Sequence, residues 1–449
     1  MSNPSTIADS HLAILGAGRS GKAAAALAVR LGARVSVFDT AGPEAFAGMP
    51  EQATCQPLAD EASAVACDIL VVSPGIDPTS SLVRAFSARA GETIGEVELA
   101  AREYSGTIIG ITGTNGKTTT TELVGRMLAQ AGLGGTPCGN YGMPFAEVVA
   151  QSEHPAAVAL ELSSFQLETI TTLRPRVAIW LNFAPDHLDR YPDVETYHAA
   201  KLRIFDYQTA EDTAVVRHGE PWQVHQAAII SQTPPTRART VTFSTTEPTA
   251  DWYSDGSTIR HQGKSIVDLA EFHGLRSLHN VENAMAAMAA CHAIGIPIAT
   301  MIDALHGFAP PPHRCEMVRT LDGVEYLNDS KATNLHALES ALRSQPRPVV
   351  LIAGGKEKGL DYSQVLPTLK EKAVAAVTFG QIAAPLGKLF SSVVPTQTVN
   401  DLAAALAAAR ALAPRGSTVL FSPGTSSFDQ FKSYEHRGDT FRDLVHQLR

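Results

Sequence analysis

Short runs rich in β-branched residues alternate along this chain with longer stretches rich in alanine and leucine. Strands that are separated by helices pair in parallel, because the helix carries the chain back to the same end of the sheet. The alternation therefore predicts an α/β protein built on parallel sheets. The predicted strands are LAIL at Leu12, VSVF at Val35, DILVVS at Asp68, TIIGIT at Thr107, AVALEL at Ala157, VAIWLN at Val177, PVVLIAG at Pro348, VAAVTFG at Val374 and TVLFSPG at Thr418.

The chain length of 449 residues indicates more than one domain, since a single hydrophobic core stops growing beyond about 250–300 residues. Two composition breaks, the glycine-containing stretch Gly91–Gly95 and the proline run Pro310–Pro312, suggest boundaries. We predict three domains, at residues 1–95, 96–310 and 311–449. Within the middle one, we expect the polar segment from His218 to Gly274 to form hairpins or loops.

Charge and composition exclude several classes of protein. With 44% hydrophobic and 18% charged residues the chain is typical of a globular protein, and its net charge of −9 disfavours a polyanionic partner. The five cysteines lack CxxC spacing, so neither a disulfide framework nor a thiolate metal site is indicated. We find no leader pattern and no apolar stretch of the roughly 20 residues that a spanning helix needs. We therefore expect a cytoplasmic protein that binds small molecules, not nucleic acid or a membrane.

A first glycine-rich loop, GAGRSG at residues 16–21, lies between a predicted strand and a helical segment. Glycines there let a diphosphate approach the backbone at a helix N-terminus, and Asp39, at the end of the next strand, is placed to accept a ribose or sugar hydroxyl. NAD, a nucleotide-sugar diphosphate and a tight turn that binds nothing all fit this pattern. We predict that the loop binds a ligand.

A second loop, GTNGKT at residues 113–118, also follows a predicted strand and precedes a helical segment. Its amides would surround phosphates, Lys117 would neutralise their charge and the Thr118 hydroxyl would ligate Mg²⁺. The usual spacing places a glycine where this chain has Ile111, with Gly110 and Gly113 on either side. A glycine-rich cap on a buried helix is the alternative, and we predict an ATP-binding P-loop.

Potential metal ligands follow the strands next to this loop. Glu161 ends one predicted strand and His187 follows another, and the carboxyl ends of parallel strands meet at one edge of a sheet. Taken alone, Glu161 could be paired in a surface ion pair and His187 could cap a helix. Together with the Thr118 hydroxyl they favour a site for hard cations around a triphosphate.

In order along the chain, between about Leu12 and Gly438, several motifs resemble those of the Mur ligase family. They are GTNGKTTT, ELSSFQLE, PDHLDRY, HNVENAMAA, PHRCE, NDSKATN, GGKEKGLDY and SPGTSSFDQFKSYEHRG. The resemblance implies a Rossmann-like N-terminal domain that holds a UDP-sugar, a central P-loop ATPase domain and a Rossmann-like C-terminal domain that binds the amino acid. NDSKATN and SSFDQF are typical of the members that add D-glutamate to UDP-N-acetylmuramoyl-L-alanine, so the resemblance implies that activity, with ATP and two Mg²⁺ ions. We expect a monomer.

The resemblance also assigns residues. Contacts to the UDP-linked substrate are implied for Gly18, Arg19, Ser20, Asp39, Thr40, Ser73, Gly75, Asn140 and His187. Contacts to ATP are implied for Gly113, Thr114, Asn115, Gly116, Lys117, Thr118, Thr119, Asn283, Arg314 and Asp329. Contacts to D-glutamate are implied for Lys331, Thr333, Lys358, Ser427 and Tyr434, the last standing where many relatives have phenylalanine. Metal ligands are implied at Thr118, Glu161, His187 and a carbamylated Lys201, and catalytic roles at Lys117, His187 and Lys201.

Lys201 lies in a segment that we predict to be helical from about Val194 to Phe205, where it projects from an apolar stripe. A lysine there can pack its stem and extend its ammonium to water. Partial burial also favours the free amine, which reacts with CO₂ to give a carbamate. The resemblance favours the carbamate.

Two other functions fit the same motifs. One is a related ligase that adds L-glutamate or another amino acid, of the folylpolyglutamate type. The other is a regulatory sensor that binds ATP and a nucleotide sugar without turnover, although Glu161, His187 and Lys201 beside the P-loop argue for catalysis. A carboxylate is a poor electrophile, so we expect ATP to convert it to an acyl phosphate before an amine attacks.

Overall fold

A computed structural model describes residues 7–188, 190–220, 222–225, 228–231, 234–275, 277–309 and 312–449. The chain divides into two compact units. The first comprises Met1–Pro185, Arg190–Arg276 and Val281–Phe308, and the second comprises Asp186–Asp189, Ser277–Asn280 and Ala309–Arg449.

The first unit begins with a five-stranded parallel sheet in the order β3-β2-β1-β4-β5. The strands are β1 (His11–Leu15), β2 (Arg34–Phe38), β3 (Thr54–Gln56), β4 (Cys67–Val72) and β5 (Ala90–Gly95). The helices are α1 (Arg19–Arg30), α2 (Ser81–Ser87) and α3 (Glu96–Glu103). Leu12 and Ile14 of β1 are fully buried, as expected of the central strand of a parallel sheet covered on both faces.

A nine-stranded sheet follows in the same unit, in the order β16-β15-β14-β13-β10-β9-β6-β8-β7. The strands, with the separate antiparallel pair β11–β12, are β6 (Thr107–Thr112), β7 (Gly134–Gly139), β8 (Ala157–Glu161), β9 (Val177–Trp180), β10 (Thr213–Arg217), β11 (Gln223–His225), β12 (Ala228–Ser231), β13 (Arg239–Ser244), β14 (Trp252–Ser254), β15 (Thr258–His261) and β16 (Lys264–Asp268). The helices are α4 (Lys117–Gln130), α5 (Phe145–Val149), α6 (Ser164–Leu167), α7 (Val194–Leu202), α8 (Leu278–Ala293) and α9 (Ile298–Leu305), of which α8 enters this unit at Val281.

The second unit contains a six-stranded sheet in the order β17-β18-β22-β19-β20-β21. Its strands are β17 (Glu316–Leu321), β18 (Val324–Asn328), β19 (Val349–Gly354), β20 (Ala373–Phe379), β21 (Thr396–Thr398) and β22 (Thr418–Phe421). Its helices are α10 (Leu335–Arg343), α11 (Leu366–Lys372), α12 (Ala383–Phe390), α13 (Leu402–Leu412) and α14 (Tyr434–Gln447). Short polar side chains start three of these helices, since Asn334, Asp401 and Ser433 each accept a backbone amide of the first turn.

All nine predicted strands are present, and the α/β class is confirmed. Parallel pairing throughout was too broad a prediction, because β14, β15 and β16 form an antiparallel meander and β17 pairs antiparallel with β18. The segment from His218 to Gly274 contains those hairpins, but its strand β13 also extends the parallel sheet beside β10. Phe243 of β13 is fully buried, so this otherwise polar segment contributes a side chain to the hydrophobic core.

The domain boundaries after residues 95 and 310 stay a prediction. Across the described part of the chain, no helix combines the length and apolar character required to cross a membrane.

Candidate functional site

The first glycine-rich loop is closed by the backbone and by Asp39. Gly16 has φ of 103°, and a Cβ at Gly21 would lie 1.8 Å from the Gly16 carbonyl oxygen, so both positions require glycine. The Asp39 carboxylate accepts the amides of Ala17 at 2.6 Å and Ala41 at 2.8 Å. Asp39 therefore stabilises the loop, and a ligand hydroxyl could donate a hydrogen bond to the remaining lone pairs of its carboxylate.

The other residues predicted to contact the UDP-linked substrate lie around this loop. Gly18 is the N-cap of α1, Arg19 and Ser20 begin that helix, and Thr40 follows β2. The Arg19 guanidinium donates to the carbonyl of Gly142, at 2.8 Å, in the segment that contains Asn140. Ser73 and Gly75 follow β4, and the Ser73 hydroxyl is buried with no hydrogen-bond partner among the described residues. An unpaired buried hydroxyl of this kind is available to a ligand.

The second loop joins β6 to α4 through two glycines with positive φ. Gly113 has φ of 148° and Gly116 has φ of 85°. A Cβ at Gly116 would lie 2.4 Å from Oδ1 of Asn283, so the structure brings Asn283 of α8 against the loop. Asn182, which sequence analysis did not assign, accepts the Asn115 amide at 2.9 Å and donates to its carbonyl at 3.1 Å.

Two lysines converge on one carbonyl of this loop. Lys117, the first residue of α4, donates to the carbonyls of Gly113 at 2.9 Å and Thr114 at 3.0 Å. Lys201 of α7, only 2% exposed, donates to the same Gly113 oxygen at 2.9 Å. Its Nζ lies 4.9 Å from the centre of the Tyr197 ring. Lys201 is therefore buried more completely than the sequence predicted.

Glu161 supplies an unpaired carboxylate oxygen at the end of β8. One oxygen accepts the Asn140 side-chain amide at 2.7 Å. The other oxygen is buried and has no partner among the described residues, and Glu161 is 2% exposed. Such an oxygen is costly to leave unpaired, and hard divalent cations prefer oxygen ligands. The chemistry of this position therefore fits Mg²⁺.

The predicted metal ligands are divided between the units. Thr118, in the first turn of α4, Glu161 and Lys201 belong to the first unit, whereas His187 belongs to the second. Over the described ranges, no group of three or more His, Cys, Asp or Glu side chains is arranged to hold a metal. A cation at Glu161 would thus need other oxygen ligands, such as a hydroxyl, a carbamate or phosphate.

An ion pair that sequence analysis did not predict lies in the second unit. The Asp186 carboxylate accepts the Lys358 ammonium at 3.0 Å and the Asn334 side-chain amide at 3.0 Å. Burial opposes ionisation of Asp186, but Lys358 and His187 outweigh it and lower the pKa of that carboxyl. Lys358 also donates to the Thr333 carbonyl at 3.3 Å. His187 has φ of 56° and its backbone amide donates to Asp186 at 2.9 Å.

Two further residues predicted to contact D-glutamate lie together in that unit. The Lys331 ammonium lies 3.6 Å from the centre of the Tyr434 ring, close enough for a cation–π interaction. The Ser330 hydroxyl fixes the start of α14 by donating to the Tyr434 carbonyl at 2.8 Å. Ser427 follows β22 and is 2% exposed.

Asp329 and Arg437 are two buried ionisable residues of the same unit. Burial raises the pKa of Asp329 to about 7, although its carboxylate accepts the Cys315 amide at 3.1 Å and the Ser422 hydroxyl at 2.8 Å. Arg314, the other ATP residue predicted here, precedes Cys315. Arg437 is fully buried, burial lowers its pKa to about 9, and it donates to the carbonyls of residues 330 and 425. Arg437 lies in the motif SPGTSSFDQFKSYEHRG, and the sequence predicts no role for it.

The structure thus groups the predicted residues in three places. The first glycine loop has Ser73 beside it, since a Cβ at Gly16 would lie 2.6 Å from the Ser73 hydroxyl. The P-loop has Asn283, Lys201 and Thr119 around it, the last buried in α4. The second unit holds the residues Arg314, Asp329, Lys331, Thr333, Lys358, Ser427, Tyr434 and His187.

Two family models match this chain. Residues 111–291 match the Mur ligase middle domain, and residues 313–424 match the Mur ligase glutamate ligase domain.

Curated relatives match nearly the whole chain. A UDP-N-acetylmuramoylalanine–D-glutamate ligase of Geobacter metallireducens is 38% identical over 451 residues, covering 98% of this chain and 98% of the relative. Enzymes of the same name from Myxococcus xanthus and Solibacter usitatus are 38% and 39% identical, each covering 97% of this chain and 98% and 97% of the relatives.

Solved structures share the fold at low sequence identity. A pseudomurein peptide ligase type C from Methanothermus fervidus has a TM-score of 0.59 at 17% identity, covering 98% of this chain and all of that one. The UDP-N-acetylmuramate–alanine ligase of Thermotoga maritima has a TM-score of 0.58 at 18% identity, covering 97% and 99%. The MurF ligase of Thermotoga maritima, solved in complex with ADP, has a TM-score of 0.57 at 16% identity, covering 100% and 97%.

Proposed function

The chain belongs to the Mur ligase family, and we propose that it adds D-glutamate to UDP-N-acetylmuramoyl-L-alanine in an ATP-dependent, ADP-forming reaction of peptidoglycan precursor synthesis. The observation that carries the proposal is the 38% identity to a ligase of that name across 98% of both chains.

The reaction forms an amide from a carboxylate. The carboxylate oxygen of the alanyl group attacks the γ-phosphorus of ATP, ADP leaves, and an acyl phosphate results. The amine of D-glutamate then attacks the acyl carbon, loses a proton, and expels inorganic phosphate from the tetrahedral intermediate. No protein side chain has to form a covalent bond, which agrees with Ser163 serving as the N-cap of α6.

The P-loop residues have the chemistry needed to bind the triphosphate. The amides of residues 113–119 and the Lys117 ammonium would hold the phosphates, with Asn283 packed against the loop. Thr118 and Glu161 are the residues of the first unit that would hold Mg²⁺, which would neutralise charge on the transferring phosphoryl group when bound. The buried unpaired oxygen of Glu161 supports this assignment.

The first glycine loop is assigned to the UDP-linked substrate. Gly18, Arg19 and Ser20 lie at the N-terminus of α1, where backbone amides favour a diphosphate. The unpaired Ser73 hydroxyl supports a ligand at this position. The same loop in a dehydrogenase would bind NAD, and membership of the Mur ligase family argues against that alternative.

The second unit is assigned to D-glutamate. The amino acid has two carboxylates, and the ammonium groups of Lys331 and Lys358 are suitable partners for them. Lys358 is paired with Asp186, so D-glutamate would compete with that aspartate for the ammonium. The Tyr434 ring lies against the Lys331 ammonium.

We also propose that Lys201 reacts with CO₂ and serves as a carbamate ligand for a second Mg²⁺. Its deep burial and its position beside Gly113 support this, because both place the side chain at the P-loop. A carbamate keeps one N–H, so the bond to the Gly113 carbonyl can persist after modification. His187 is the further proposed ligand.

The protein is proposed to act in the cytoplasm as a monomer. All five cysteines are free, which is consistent with a reducing compartment. The mass measured by size-exclusion chromatography with light scattering tests the monomer, and a mass of two or more chains would contradict it.

The function is tested by measuring phosphate release from ATP with UDP-N-acetylmuramoyl-L-alanine and a panel of amino acids. We expect release with D-glutamate and a new amide product by mass spectrometry. Release with L-glutamate but not D-glutamate would replace the proposal with the related ligase. No release with any amino acid at saturating substrates would favour the regulatory sensor.

A further inference from the structure

Arg190 joins the loop after β4 to the segment that follows β9. One of its terminal nitrogens donates to the Pro74 carbonyl at 2.9 Å. The other donates to the Glu168 carboxylate at 3.1 Å. Pro74 stands between Ser73 and Gly75, the two residues of this loop that are assigned to the UDP-linked substrate.

The Arg190 side chain is itself held in one orientation. Its guanidinium lies 3.8 Å from the centre of the Phe165 ring, and Tyr191 stacks on that ring with 5.8 Å between the ring centres. The Tyr191 hydroxyl donates to the Glu168 oxygen that Arg190 does not use. Both partners of the ion pair are mostly buried, with side chains 18% and 20% exposed. An arginine fixed by a ring and a carboxylate loses little conformational entropy on holding a carbonyl.

The surface beside Arg190 is open. A cavity of about 550 Å³ is lined by Arg190 and Thr196 and by Asp77, Pro78 and Thr79, which follow the loop 73–75 along the chain. Two backbone bonds hold the loop at Ser73, whose amide donates to the Leu15 carbonyl at 3.0 Å and whose carbonyl accepts the Ile76 amide at 3.0 Å. Arg190 adds the side-chain bond that holds the next carbonyl, that of Pro74, beside the unpaired Ser73 hydroxyl.

We propose that Arg190 is a positioning residue for the UDP-linked substrate, which acts by fixing the loop 73–75 and does not touch ATP or D-glutamate. The inference rests on the proposed function, since it takes that loop to be part of the substrate site. Loss of a hydrogen bond from a charged donor typically weakens an equilibrium by about 10- to 100-fold. Because this bond is already present in the ligand-free protein, its loss weakens substrate binding through the fraction of molecules whose loop is in the binding position, and a loop in that position about a tenth of the time weakens binding about 10-fold.

The experiment compares Arg190→Met with Arg30→Met by calorimetry. Arg30 is a matched control, because its guanidinium also donates to backbone carbonyls, those of Ala150 and Gln151 at 2.6 and 2.5 Å. The titrants are UDP-N-acetylmuramoyl-L-alanine and, separately, a non-hydrolysable ATP analogue with Mg²⁺. We expect Arg190→Met to weaken the first by at least about 10-fold and the second by less than about 2-fold, with Arg30→Met like the wild type.

Other outcomes overturn the inference in distinguishable ways. Equal affinities in both variants and the wild type would reject the role of Arg190 and leave the proposed function intact. Equal weakening of both titrants would show general loosening of the protein, and would also reject it. A wild-type protein that does not bind the UDP-linked substrate would remove the proposed function and this inference together. If Arg190→Met does not fold, Glu168→Gln carries the test, with the same selective loss expected and unchanged affinity overturning it.

Discussion

Replacing Glu161 by glutamine should stabilise the free protein and inactivate the enzyme. The substitution keeps the shape of the side chain and the oxygen that accepts the Asn140 amide. It removes the charge from a carboxylate whose second oxygen is buried without a partner in the described structure. The residue is therefore unfavourable for folding alone, and its value would lie in binding a cation.

The expected magnitude follows from the cost of that oxygen. An unpaired buried polar group costs about 1–3 kcal/mol, and more when charged. Glutamine leaves a neutral amide there, so we expect the free energy of unfolding to rise by about 1–2 kcal/mol, which corresponds to a few degrees in Tm. Loss of a group that stabilises transition-state charge typically lowers kcat by about 10²- to 10³-fold.

Thermal unfolding with and without ligands measures the change in stability and the loss of Mg²⁺ binding, and phosphate release measures kcat. The wild type should gain Tm with ADP and gain further when Mg²⁺ is added, since a ligand at one hundred times its Kd contributes about 2.7 kcal/mol. Glu161→Gln should start from a higher Tm and lose the Mg²⁺ increment. Glu96→Gln is the control, because Glu96 is also buried with one oxygen bonded, to the Ala146 amide at 2.6 Å, and one unpaired. It should gain stability and keep both activity and the Mg²⁺ increment.

The reasoning would be refuted by a Glu161→Gln protein that is less stable than the wild type and still gains Tm on addition of Mg²⁺ to ADP. That result would mean that the carboxylate is a structural partner and that the cation binds elsewhere.

Four further outcomes are expected. Lys117→Ala should abolish phosphate release with unchanged circular dichroism, because its ammonium is a point charge on phosphate and not part of the core packing; near-normal kcat would contradict the P-loop assignment. Lys358→Ala should raise KM for D-glutamate more than KM for ATP in steady-state kinetics, and the reverse order would move D-glutamate away from it. Removal of CO₂ and bicarbonate should lower wild-type activity and their return should restore it, whereas intact-protein mass spectrometry showing unmodified Lys201 in fully active enzyme would reject the carbamate. Burial raises the pKa of Glu96 from 4.5 to about 7, so its folded carboxyl binds a proton that the unfolded one releases between those values. Wild-type stability should therefore fall relative to Glu96→Gln as pH rises from about 4.5 through 7, by about 3 kcal/mol at most, and chemical denaturation at pH 5 and pH 8 measures it.

The strands and the loops between them could be predicted from sequence because each depends on local pattern. TIIGIT followed by GTNGKT specifies a buried strand, two glycines with positive φ and a helix start, and the structure has all three. The segment containing β13 was harder, since only a few of its residues, such as Phe243, are apolar enough to indicate a core strand.

The partners of charged side chains could not be predicted from sequence. Asp186 and Lys358 are 172 residues apart, and nothing local to either one indicates their ion pair. Asp39 lies beside the first glycine loop, but its bonds to the amides of Ala17 and Ala41 depend on how the chain turns after β2 and could not be predicted. The extent to which Lys201 is buried likewise follows from how α7 packs in the fold. A helical projection shows only the direction in which the side chain points.

The P-loop depends on a residue outside it, because Lys117 and Lys201 both donate to the carbonyl oxygen of Gly113. Lys117 can turn toward a phosphate without leaving that oxygen unpaired, because Lys201 continues to donate to it from 88 residues further along the chain. The conformation of the loop is therefore held partly by residues outside its own motif. A transplanted GTNGKT segment would need helix α7 and Asn182 with it to keep the same shape.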